Sequence, residues 1–107
     1  SQNSFNGFAA YFEDNVREEK VLSIEQAVHH VTGFPAQKFK LKDRGVVKIG
    51  SYADLVIMDI DKVKDMSTSL DPCVYPDGIH HVIVNGIHVV DEMSHTGKKP
   101  GKVLYRE

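Results

Sequence analysis

GVVKIGSYADLVIMD, running from Gly45 to Asp59, places glycine-punctuated backbone in front of a nearly continuous apolar run. Leu55 to Met58 has the length and composition of a strand covered on both faces. Before it, Val46, Val47 and Ile49 predict a short extended segment, and Gly50 to Tyr52 a tight turn. Gly50 supplies backbone freedom for that turn. Ala53 is small enough to fit beneath a close neighbour, and Asp54 can accept backbone N–H bonds from the turn where the strand begins. The stretch holds no nucleophile with a base and no set of metal ligands, so it reads as structural punctuation. It also divides the chain: the residues N-terminal to it are helical in pattern, and those C-terminal to it are β.

On the helical side, Phe5, Phe8, Ala9, Phe12 and Val16 recur at spacings of three and four, which lays an aromatic stripe on one helix face. Glu13, Asp14 and Arg17 fall mainly on the other. The next helix is announced by Ser23 and Gln26 as a capping box, with Leu22 and Ala27 at the staple positions. Ile24, Ala27, Val28 and Val31 are its expected buried face. Gly33 is the expected left-handed stop, Pro35 prevents continuation, and a short helical turn is expected over Ala36 to Phe39.

On the β side, Asp59 to Asp77 reads as a long irregular connection containing Pro72 and Pro76. HHVIVNGIHVV (80–90) then gives two apolar runs joined by Asn85 and Gly86, the favoured pair for a type I′ hairpin because both central residues need positive φ. The regular register puts Val82, Val84, Ile87 and Val89 on one face. The turn-rich tail ends in a candidate strand, Val103 to Tyr105.

Composition narrows the function classes. The 107 residues are 41% hydrophobic and 26% charged, with a net charge of −2 and both signs interspersed, which argues against nucleic acid or an acidic membrane as partner. No apolar run approaches the roughly 20 residues of a membrane span. Cys73 is the only cysteine, which excludes an internal disulfide and fits a reducing, cytoplasmic setting. The chain opens on Ser1, as a processed product or a fragment would.

The chemistry-bearing residues do not assemble in sequence. His29 and His30 are adjacent on a helix and point about 100° apart, unlike the i, i+4 pair of zinc helices. His81 and His88 fall diagonally on one hairpin face, but no cysteine or carboxylate at a fitting spacing completes a metal set. His80 and His95 have no partners in sequence. Cys73 has no histidine beside it, and Glu13–Asp14 and Glu18–Glu19 are solvated neighbours rather than acid–base pairs.

The spacing of Gly45, Gly50, Ala53, Asp54, Leu55 and Asp59 resembles a segment of the amidohydrolase superfamily, in which a chain leaving the catalytic (β/α)8 barrel joins a small β-sandwich. SIEQAVHHVTGFPAQKF (23–39) is similar to the helix before that segment, with Thr32, Pro35 and Ala36 at matching spacing. Downstream, Tyr75, Pro76, Gly78 and Ile79, then Val84, Asn85 and Gly86, then Thr96, Gly97, Pro100 and Gly101 resemble the end of the N-acyl-D-amino-acid deacylase (D-aminoacylase) family. The likeness runs from Phe8 to Arg106. Dihydroorotases and hydantoinases share the glycine-punctuated segment but less obviously the tail.

The resemblance implies an α+β arrangement: residues 1–44 as helices from the end of the barrel, and 45–107 as a small antiparallel sheet forming part of the β-sandwich. It implies a parent hydrolase whose barrel-bound zinc activates water and polarises an amide carbonyl, releasing a carboxylate and a D-amino acid. Ligands and catalytic aspartate in that family stand at the ends of earlier barrel strands. The family's His-x-His pair is absent, and of the run that leads into glycine–phenylalanine only Gly7 and Phe8 match. No catalytic or metal residue is carried over, and no zinc is expected on this chain. The expected partners are the rest of the barrel and the N-terminal β-strands. Alone, an unpaired strand edge and an uncovered phenylalanine stripe would favour a dimer. A stand-alone interaction module without catalysis is the other reading.

Overall fold

Aromatic and small residues at helical spacing build the first helix. In a computed structural model, which describes residues 2–71, 74–92 and 94–101, α1 spans Gln2–Phe12. Ala9 and Phe12 are buried and Phe8 packs partly against them, its ring 4.9 Å from that of Phe12. Burying a phenylalanine contributes roughly 2–3 kcal/mol, so this stripe anchors the chain's own core. The helix continues as a π-helical stretch, Glu13–Glu18, closed by the Glu19 N–H donating to the Asp14 carbonyl at 2.8 Å. Arg17 fixes that wider turn by donating to the Ile60 carbonyl at 3.1 Å, and Lys20, at φ 54°, ends it.

α2 (Ile24–Val31) starts at the expected capping box: Ser23 Oγ accepts from Gln26 N–H at 3.1 Å, and Gln26 Oε1 accepts from Ser23 N–H at 2.9 Å. Only Ala27 of its expected buried face is covered, while Ile24, Val28 and Val31 stand open to solvent. Gly33 is not a left-handed stop. The chain bends at Thr32, and Gly33 begins α3 (Gly33–Lys38), with Pro35 in the first turn, where a missing N–H is tolerated.

Among the described residues, four strands form one antiparallel sheet in the order β1 (Leu55–Met58), β2 (Ile79–Val84), β3 (Ile87–Asp91), β4 (Ser94–His95). Val46, Val47 and Ile49 form bends and a turn instead of the expected extended segment, and Ile49 is fully exposed. The tight turn lies at Lys48–Ser51, with a 3.1 Å bond between its ends and Gly50 at φ 93°. Asp59 to Asp77 is irregular where described, crossed by one bridge between Lys64 and Asp77. Among the described strands β1 lies at the edge, and it is not covered on both faces, because Val56 and Ile57 are exposed.

Two register shifts shape β2. One, between Ile57 and Met58 of β1, gives β2 an extra residue, so its buried positions Ile79 and Val82 are three apart instead of two. The other lies between Val82 and Ile83, so Val82 faces Val90, and Val90 replaces Val89 on the buried face. The hairpin turn is as expected, with Asn85 at φ 50° and Gly86 at φ 79°. Ile79, Val82 and Val90 close against Ala9, Phe12 and Ala27, with Val63 fully buried from the connection. Asn6, itself buried, pins that connection by bonding the Met66 N–H at 3.0 Å and the Val74 carbonyl. The candidate strand at Val103–Tyr105 and Cys73 lie outside the described residues.

Candidate functional site

The glycine-punctuated segment becomes a clasp between the helical part and the hairpin. Gly45, at φ 84°, lies so close to α3 that a Cβ there would stand 2.6 Å from the Ala36 Cβ and 2.8 Å from the Thr32 carbonyl oxygen. Only glycine fits that approach. It aims the preceding Arg44 across the hairpin turn. One Arg44 nitrogen donates to Asp54 Oδ2, the other donates to Asn85 Oδ1 at 2.9 Å, and the guanidinium stacks 4.1 Å from the Tyr52 ring centroid.

Asp54 does not accept from its own turn, as the sequence suggested. Its Oδ1 takes the Asn85 N–H at 2.8 Å, thirty-one residues away. Ala53 is exposed rather than tucked beneath a neighbour, but its carbonyl accepts the Gly86 N–H at 2.9 Å. Asn85 completes the set by donating to the Pro100 carbonyl at 2.9 Å, and Thr96 Oγ1 donates to the His88 carbonyl at 2.7 Å. The sequence motif residues Asp54, Asn85 and Gly86 are therefore brought together, Gly45 and Ala53 border them, and Gly50 shapes the turn on the way. Arg44 was not singled out from sequence; its only signal was a charge directly before Gly45.

His29 and His30 are exposed at the end of α2. The hairpin pair differs. Because Val82 faces Val90, His81 lies opposite Asp91, and His81 Nδ1 sits 3.2 Å from Asp91 Oδ1, while the His81 and His88 rings are 5.6 Å apart. A carboxylate thus does join the two histidines, contrary to the regular register. The Val89–Val90 apolar doublet was the sequence mark of that shift.

The Ser67 hydroxyl at 2.6 Å, followed by the Ser67 N–H at 2.8 Å, holds the Asp65 carboxyl below the ordinary aspartate range, against a small opposing effect of burial. A recess of about 340 Å³ beside α3 is bordered by His29, Gln37, Arg44 and Lys48, with Arg44 already committed to the clasp. No nucleophile there is paired with a base among the described residues.

The Amidohydrolase family profile matches residues 3–90. An N-acyl-D-aspartate deacylase of Alcaligenes xylosoxydans xylosoxydans is 42% identical over 89 residues, 83% of this chain and 18% of that protein. A D-aminoacylase crystal structure superposes with a TM-score of 0.86 at 40% identity, over 92% of this chain and 21% of that one. The N-acyl-D-glutamate deacylase of Bordetella bronchiseptica, solved with zinc and a phosphonate inhibitor, superposes at 0.70 with 36% identity, over 78% of this chain and 19% of that one. A dihydroorotase of Lactobacillus acidophilus matches less, 36% identity over 58 residues, or 54% of this chain and 14% of that protein. The chain spans about a fifth of the length of the deacylases it matches. With its helix cap, its glycine-punctuated segment and its hairpin superposing along nearly the whole chain, this protein belongs to the amidohydrolase family.

Proposed function

We propose that this chain is the C-terminal portion of a zinc-dependent hydrolase that cleaves N-acyl-D-amino acids to a carboxylate and a D-amino acid, and that it serves that enzyme as scaffold. The observation that carries the reading is coverage: 92% of the chain superposes on only 21% of a D-aminoacylase. Residues 1–44 would close the barrel and 45–107 would join the β-sandwich, with the Arg44–Asp54–Asn85 clasp fixing the angle between them.

The residues present do not fit the catalytic zinc. Among the described residues no buried histidines, cysteines or carboxylates converge, so no catalytic step is assigned to this chain. Its surface supports the scaffold reading instead. Val47 is 85% exposed and Ile49 fully so, no described strand pairs with the outer edge of β1, and three aliphatic residues of α2 face solvent. The occupant we assign to these faces is the remaining polypeptide of the same enzyme, its barrel and N-terminal strands. No described helix is long and apolar enough to cross a membrane.

A cyclic-amidase parent is less supported, because the dihydroorotase match covers 54% of the chain against 83% for the deacylase. The test is to express both the 107-residue chain and its full upstream reading frame, supply zinc, and measure D-amino acid released from N-acetyl-D-aspartate, N-acetyl-D-glutamate and a neutral N-acetyl-D-amino acid. The long form is expected to release product and the short one none. A long form that opens only dihydroorotate, or a reading frame that starts immediately before Ser1, would overturn the proposal.

A further inference from the structure

We propose that His81, His88 and Asp91 form a binding site for a divalent transition-metal ion, with zinc the best-suited member. The site is made by a backbone irregularity. In a regular hairpin His88 and Asp91, three apart on β3, would point to opposite faces. His88, paired with Ile83, already shares the face that carries His81, and the register shift between Val82 and Ile83, which pairs Val82 with Val90, turns Asp91 to that face as well. One ligand atom from each of the three residues then lies within 4.8 Å of the others.

Two imidazoles and one carboxylate are the donor set that zinc, nickel and copper favour over magnesium or calcium. At bond lengths near 2.0–2.1 Å a tetrahedral ion holds its ligand atoms roughly 3.3 Å apart. His81 Nδ1 and Asp91 Oδ1 already stand 3.2 Å apart, so the movement required falls mainly on the exposed His88. His81 retains 27% of its side-chain exposure and Asp91 53%, leaving both free to change rotamer and leaving room for water as a fourth ligand. The competing contact is weak: the Glu92 N–H approaches His81 Nδ1 only to 3.5 Å. Bound there, the ion would tie β2 to β3 across the bulge and hold the hairpin in its shifted register.

The experiment uses the 107-residue chain with its imidazoles labelled in nitrogen-15, titrated with zinc chloride and followed by NMR and calorimetry. The expected result is one zinc per chain at micromolar affinity, moving the His81 and His88 ring resonances and leaving His29 and His30 unmoved. H88A and D91N should each weaken binding roughly tenfold or more, and an H29A/H30A variant should not. D91N keeps the side-chain shape, so a loss there is separable from a folding defect, which far-UV circular dichroism checks. Unmoved His81 and His88 resonances, equal affinity in H88A, or loss shared with H29A/H30A would overturn the site. Each outcome is independent of hydrolase activity, so it stands or falls apart from the function proposed above.

Discussion

Replacing Asp54 by alanine removes the acceptor on which the clasp turns. Asp54 takes the Asn85 N–H at 2.8 Å and one Arg44 nitrogen, with one third of its side chain exposed and 13% of Arg44's. A hydrogen bond to a charged group contributes about 1.5–3 kcal/mol when shielded, and solvent at Asp54 brings each of these toward about 1 kcal/mol. The sum is about 2 kcal/mol. With a urea slope of about 1.5 kcal/mol per molar, the unfolding midpoint of D54A should fall by about 1.3 M. D54N keeps an oxygen for the Asn85 N–H and loses the charge, so about half that fall is expected. In a double-mutant cycle with R44A, the pair should show a coupling of about 1 kcal/mol. The assay is urea unfolding followed by circular dichroism. A D54A midpoint within about 0.3 M of the parent, or strict additivity with R44A, would refute the clasp as a stabilising unit.

Two further outcomes are expected of the same structure. The chain by itself should associate, most simply as a dimer, through the edge of β1 that no described strand pairs and the exposed Val47 and Ile49, because Phe12 of the aromatic stripe is only 1% exposed and already spent on the core; light scattering that finds a stable monomer at high concentration, or no change in V47S/I49S, refutes it. Asp65 titrates below the ordinary aspartate range because Ser67 hydrogen-bonds its charged form, so the folded state favours the carboxylate: that stabilisation is present above the unfolded value and is lost as pH falls through the lowered folded one. Carbon-13 NMR of the Asp65 carboxyl in S67A should show its midpoint move upward, and an unmoved midpoint would remove Ser67 as the cause.

What the sequence determined by itself is local. Ser23 and Gln26 sit three apart on one turn, and both capping bonds form as the spacing requires. Asn85 and Gly86 need only their own φ angles to make the hairpin turn. The helical stripe of Ala9 and Phe12 needs only the period of the helix to face one way. Family likeness was legible for a related reason: glycines and prolines at fixed separations record backbone shape, and backbone shape is what relatives share.

What only the tertiary structure decided is long-range or cumulative. Arg44 meets Asn85 forty-one residues away, a pairing that no spacing rule contains. Val46, Val47 and Ile49 have strand-forming side chains, yet a strand exists only where a neighbour supplies hydrogen bonds, and the described residues offer them none. One residue of slip between β2 and β3 exchanged Val89 for Val90 in the core and brought Asp91 to His81, because side chains alternate with a period of two and a single extra residue reverses every face beyond it.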